Sequence, residues 1–458
     1  VTAALLLMAL AAAKPVLREE PFRLERAAET VALLTAGCEG CAWGTKGREA
    51  AVLALSIDGR YSQHLILTRG ERPAEYRVLL GALGAGPHRL TLAVDPAASA
   101  PGAGAVHVDR VELLSASPAE AMALSHAPVL HARPNTLGRF SDVPLLVWYE
   151  AERTARGTRL RYSAVFSNED GGTPADRLMA TWGRLTDIEY VYGVEVDDDG
   201  RVLAQEYQGR NHMLLAPRAP EPAAHRFPPS PLRLFPERPP QEHPLLWVVT
   251  DNNMLSDRGV TSQRYAPAPF PFELRNVSRE AVMDANPWTY RVSAEEARRE
   301  GRVADDARPG SGKLPDPRRF AYVEACAETR DATLAFAVGV EGAGGAMLWR
   351  ESDGGHSNFR IARSATNFPN GCFRAAVALP RGADGSGVRA LRFRAFTRPP
   401  AKGEAPLRPG SGSARLKRVN KLFLLGADDT PGPSLFSWTG DVALLPEGPP
   451  VELPLPIP

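Results

Sequence analysis

Hydrophobic positions along this chain fall in short runs rather than long helical stripes. Residues 51–57 are Ala-Val-Leu-Ala-Leu-Ser-Ile and stop at the turn Asp58-Gly59, and residues 61–67 resume with partial alternation. Residues 75–80, 88–95 and 106–113 repeat the pattern, with Gly and Pro between them. Such runs, recurring about every 10–15 residues between turn-forming residues, predict an antiparallel β-sandwich over residues 21–114.

The next block, residues 115–301, opens with Ser117-Pro118-Ala119-Glu120, a capping box with Pro at the first helical position, which predicts a short helix over 118–124. The chain then turns extended at 126–131, 143–150 and 160–168. Residues 187–196 alternate, and Asp197-Asp198-Asp199-Gly200 turns them into 201–207, a strong hairpin signal. Residues 216–244 are Pro-rich without periodicity and read as an irregular surface insertion. Helical turns return at 278–283 and at a second capping box, Ser293-Ala294-Glu295-Glu296, ending at Gly301.

The hydrophilic stretch 304–317 reads as a linker. Six candidate strands (320–327, 332–340, 345–349, 372–379, 388–396 and 416–425) predict a second sandwich over 318–443, and the Pro-rich tail 444–458 reads as an extended strap or disordered. The expected fold class is therefore mainly all-β and multidomain: antiparallel β-sandwiches around a β-rich central domain with a few short helices.

Residues 1–13, an apolar run ending in small residues before Lys14-Pro15, read as the hydrophobic region and cleavage site of a secretory signal. With no Met and no basic segment ahead of that run, the sequence is expected to begin inside the signal. No other stretch approaches the roughly 18–20 apolar residues of a membrane span. Basic and acidic side chains number 54 and 53, so no net field favours nucleic acid or an anionic membrane. The 42 Pro and 40 Gly suit a turn-rich folded chain. Pairing of Cys38 with Cys41, and of Cys326 with Cys372, is expected in an oxidising compartment, which makes the protein secreted or periplasmic.

The motifs with a known mechanism are missing. Gly310-Ser311-Gly312-Lys313 lacks the first Gly and the hydroxyl of a phosphate loop and reads as a turn. Neither Gly-x-Ser-x-Gly nor His-Glu-x-x-His occurs. Dispersed residues remain. Asp187 and Glu189 alternate along one expected strand, so both carboxyls share a face about 7 Å apart, a separation suited to glycosidic acid–base work; Glu195 would extend the row. The competing expectation is a row of polar residues on the wet face of a half-buried sheet. His126 is the candidate base; with His131, His212 and His243 it could also serve a metal, although His126 and His131 would lie on opposite strand faces, and the competing expectation is separate structural histidines. The loops Asn168-Glu169-Asp170 and Asp251-Asn252-Asn253 each follow an apolar strand and gather acceptors. Asx turns, sugar hydroxyls or a calcium ion would use the same side chains.

The strands 86–92 and 108–113 resemble those of the jelly-roll modules that bind carbohydrate on secreted glycoside hydrolases. That resemblance implies exposed aromatics that stack on sugar, for which Trp43 and Tyr61 are the candidates, although each also reads as a packed rim residue. The segments His126-Ala127-Pro128-Val129-Leu130 and Asp187-Ile188-Glu189-Tyr190-Val191 are similar to a vacuolar-protein-sorting-like family of β-rich proteins, in which Trp and His stand where Ile188 and Tyr190 stand here. This second resemblance implies no particular chemistry. The leading expectation is a protein that binds carbohydrate or another envelope ligand. The alternatives are a hydrolase of glycans or esters using Asp187, Glu189 and His126, and a structural envelope or adhesion component.

Overall fold

The computed structural model describes residues 14–133, 136, 138–217, 243–362, 371–401 and 403–455. The leader at 1–13 and most of the Pro-rich insertion, residues 218–242, lie outside the described residues. Strand accounts for 47% of the structure and helix for 11%, an all-β architecture of several antiparallel sheets. No helix among the described residues is long and apolar enough to cross a membrane.

The first seven strands are β1 (Val16–Leu24), β2 (Ala28–Cys38), β3 (Val52–Ile57), β4 (Arg60–Ile66), β5 (Ala74–Leu83), β6 (Gly86–Val94) and β7 (Val106–Ser115). They form two facing sheets, β1-β6-β3-β4 and β5-β2-β7. Inward residues such as Leu34, Leu53, Leu80 and Leu92 fill the space between them. The Cys38–Cys41 disulfide staples the end of β2.

Helix α1 (Pro118–Ser125) begins as expected: the Ser117 hydroxyl accepts from the Glu120 backbone N–H at 3.3 Å. The central block then builds β8 (Val129–His131), β9 (Pro144–Arg153), β10 (Thr158–Phe166), helix α2 (Ala175–Trp182), β11 (Asp187–Val196), β12 (Val202–Gln208) and β13 (Leu214–Leu215). After them come β14 (Leu245–Val248), β15 (Leu255–Ser256), β16 (Arg264–Tyr265), β17 (Phe270–Pro271) and helices α3 (Ala281–Asp284) and α4 (Trp288–Arg299). A six-stranded sheet, β13-β12-β11-β10-β9-β17, faces a four-stranded one, β15-β14-β8-β16. Ser293 lies inside α4 with its hydroxyl on the Tyr290 carbonyl, so the second capping box does not start the helix, which begins at Trp288 behind Pro287.

The six-stranded sheet is covered on both faces. Val191, Val194 and Tyr162 pack toward the four-stranded sheet. Trp148, Val165 and Ile188 pack the other way, against Met179, Tyr290 and residues of the C-terminal sandwich. The expected wet face of β11 is therefore absent at its start.

The stretch expected as a linker, 304–317, folds back on itself: Ala304 N–H donates to the Leu314 carbonyl at 2.8 Å, and Leu314 is fully buried. Gly310 and Gly312 direct backbone N–H groups at the Asp176 carboxylate of α2, at 2.8 and 3.1 Å.

The C-terminal sandwich contains β18 (Phe320–Arg330), β19 (Ala332–Glu341), β20 (Met347–Glu351), β21 (Ile361–Ala362), β22 (Cys372–Ala378) and β23 (Val388–Thr397). It is completed by β24 (Ser413–Phe423), β25 (Phe436–Leu444) and β26 (Val451–Pro454). Its sheets are β22-β18-β24-β25 and β20-β19-β23-β26, with β21 paired to β19. Cys326 and Cys372 face each other across β18 and β22 and form the second disulfide, with Cα atoms 3.8 Å apart. The tail straps onto β23 as β26.

Candidate active site

The two polar loops of the central block meet. The Asp170 backbone N–H donates to the Asp251 carbonyl at 3.0 Å, and the Asn253 carboxamide donates to the Asn168 carbonyl at 3.1 Å. Both loops sit over the start of β11, where Asp187 and Glu189 project from the same face into the space between the sheets. Asp187 is 1% exposed, and Glu189 and Glu169 are each 8% exposed. Three carboxyls thus share one enclosed end of the sandwich.

Donors surround them unevenly. Asp187 receives the Asn253 carboxamide at 3.0 Å and the Arg184 guanidinium at 3.4 Å. Arg184 also binds Glu280 at 3.1 Å, and the buried Arg279 acts on the same acids. Gln208 donates to Glu189, and His212 Nδ1 lies 4.0 Å from the same carboxyl. Glu169 is held by the Thr173 hydroxyl. Gly172 is required beside it, because a Cβ there would collide with Glu169 Oε1 and the Asn252 side chain.

Enclosure at this end of the sandwich raises the proton affinity of two of these acids. Burial, followed by repulsion from Asp187, pushes Glu169 up to about 7. The same two causes, in the same order, raise Glu189 well above its ordinary value, against the opposing pull of Arg279, Arg184 and Gln208. A carboxyl titrating near neutrality beside an acid held by donors is an arrangement suited to proton transfer.

Near these acids, His212, Asp251 and Gly171 are exposed. His212 and Asn211 both hold positive φ, 56° and 60°, in the turn between β12 and β13, and Asn253 holds 54°. Each such conformation costs a non-Gly residue on the order of 1 kcal/mol, and two of the three, His212 and Asn253, carry side chains that reach the acids.

Behind the rim, Arg133 gathers Asp142, Asp170 and Asp251, with Asp170 at 2.9 Å. Burial pushes Asp142 up to about 9 although Arg133 opposes the shift. Asn168 turns away from solvent and donates to the Ser141 hydroxyl at 3.1 Å and to Glu300 at 3.3 Å. Asn168 and Asp170 therefore brace the loop, whereas Glu169, Asp251 and Asn252 remain at the site or its rim.

Several expected residues lie elsewhere. His126 is not beside Asp187: it is buried near His243, and burial pushes it down to about 4. Glu195 faces away because Val191 is an extra residue in the β10–β11 ladder, which inverts the alternation beyond it; Glu195 binds Arg156 instead. Trp43 is no sugar platform, being 1% exposed and donating to Glu296 at 3.2 Å. Tyr61 is half-buried, its hydroxyl 2.6 Å from His64 Nδ1 and its ring under Arg264. Among the described residues no three His, Cys, Asp or Glu side chains gather as a metal site.

Arg184 and Gln208 carry no signal in the sequence, whereas Asn253 stands in an acceptor-rich loop and His212 among the candidate histidines, though not as a neighbour of Glu189. No family model and no curated protein matches the chain, which leaves these side chains as the guide to its chemistry.

Proposed function

We propose that the chain is a hydrolase of glycans that works by carboxyl acid–base catalysis at Glu169, Asp187 and Glu189. One observation carries the reading: two carboxyls with raised proton affinity are gathered around a third that receives only hydrogen-bond donors. In this scheme Glu169 donates a proton to the leaving glycosidic oxygen. Its proton affinity near neutrality suits both giving the proton up and regaining it. Asp187, fixed by Asn253 and Arg184, acts from the other side, either on water or on the sugar carbon. Glu189, hydrogen-bonded by Gln208, keeps its proton and polarises the site. Asp251 and Asn252 at the rim supply acceptors for sugar hydroxyls, a role that keeps carbohydrate recognition within the same site. The two disulfides support a secreted or periplasmic location.

The test is a panel of aryl glycosides and labelled oligosaccharides, with aryl esters alongside. Wild-type protein is expected to hydrolyse a glycoside, and Glu169→Gln and Asp187→Asn should each lower kcat by about 100-fold or more with the fold intact by circular dichroism. If the protein retains glycans without cleaving any, and the variants change only affinity, it is a binding protein.

A further inference from the structure

At the boundary between the N-terminal sandwich and the central domain lies a partly open cavity of about 410 Å³, whose lining includes none of the three acids described above. Its floor is rigid, because β5 continues its ladder into the central domain: Leu79 N–H donates to the Ala266 carbonyl at 2.8 Å and Ala268 N–H to the Arg77 carbonyl at 3.1 Å. Its walls are largely apolar, with Val78, Leu145, Leu146 and Phe270 among them. A space of this size and lining takes a small ligand rather than a few waters.

One charged group on the wall has no counterpart. Arg69 lies 4.6 Å over the Trp288 ring, and its one hydrogen bond as a side-chain donor is from Nη1 to the Glu75 carbonyl at 2.8 Å. Its buried Nε has no acceptor. Among the described residues no carboxylate lies within 4.0 Å of it; Glu75 attracts it only from farther away, and Arg291 repels it. Half-buried guanidinium groups are normally paired, since desolvating the cation otherwise costs free energy.

We propose that this cavity binds a small amphipathic carboxylate, its apolar body against Val78, Leu145 and Phe270 and its head group on Arg69. The carboxylate supplies the missing counter-ion in the planar, two-point geometry a guanidinium favours. The hydrocarbon fills space that the protein leaves open. An alcohol forfeits the charge pairing, and an amine of the same shape meets Arg69 as a like charge, although Glu75 also lines the cavity.

Calorimetric titration with octanoate, octan-1-ol and octylamine tests this on the whole protein. Octanoate is expected to bind saturably at one site and at least about tenfold more tightly than octan-1-ol, with no binding of octylamine. Arg69→Gln should erase the preference for octanoate while leaving octan-1-ol affinity unchanged. Absence of saturable octanoate binding, equal affinity for acid and alcohol, or an unaltered preference in the variant would each overturn the assignment. If Arg69→Gln does not fold, the acid–alcohol comparison on the wild type decides, because only a cation beside the apolar body separates those two ligands.

Discussion

The Asn253 carboxamide donates to the Asp187 carboxylate at 3.0 Å, fixing a loop residue to a strand residue inside the protein. The same nitrogen reaches the Asn168 carbonyl, so a single buried side chain joins both loops to β11. Asn253→Ala leaves the Asp187 oxygen and the Asn168 carbonyl short of a donor. It should cost about 1–3 kcal/mol in urea unfolding and lower turnover more than it changes KM. A variant with normal turnover would remove Asn253 from any positioning role.

Glu169 makes stability and rate depend on pH in the same window. Its carboxyl moves from an ordinary value of 4.5 to about 7 on folding. Between those values the unfolded chain releases this proton while the native state retains it. The contribution of this group to stability is therefore lost as pH rises from 4.5 to 7 and is constant beyond, a change on the order of 3 kcal/mol. Glu169→Gln should flatten that part of the stability profile, measured by denaturant unfolding from pH 4 to 9. In the wild type kcat/KM should fall above about pH 7, as the acid form disappears.

The Cys326–Cys372 bridge joins directly opposed strands separated by 46 residues of chain. Replacing both with Ala should lower stability by about 3–4 kcal/mol, against about 2 kcal/mol for Cys38–Cys41, which closes a far shorter loop. Urea unfolding of the two double variants, with and without reductant, compares them; equal losses would contradict a loop-length origin.

Arg374 is fully buried and binds Asp284 at 2.6 Å and Glu324 at 2.5 Å, joining α3 to β18. Arg374→Met strands the Glu324 carboxylate in the interior and should cost about 3–5 kcal/mol. Adding Glu324→Gln should restore part of that loss. A double-mutant cycle by thermal unfolding reads the coupling.

Much of this was legible before folding. The alternation of 187–196 and the Asp-Gly turn chemistry predict the β11–β12 hairpin, and the alternation also places Asp187 and Glu189 on one face. The bulge at Val191 leaves no mark in that alternation, so Glu195 reads as part of the row. The acceptor-rich loops stand out in the sequence, but their meeting depends on the two sheets facing each other, which local pattern does not encode. Arg184 and Gln208 matter only through contacts set by the fold. Trp43 illustrates the converse: the sequence allows a packed rim residue or an exposed platform, and contact with Glu296 of α4 decides for the packed one. Helix α2 did carry a signal, Pro174 before its first residue and left-handed Gly183 after its last, but eight residues gave too short a period to notice.

The hydrogen bonds that run from β5 into residues 266–268 bear on how this architecture could be inherited or engineered. A cut after residue 115 would sever a ladder, leaving unpaired amides and an exposed edge on each fragment. A fusion that carries the first sandwich should therefore keep the 266–268 segment if the outer edge of β5 is to stay covered as it is here.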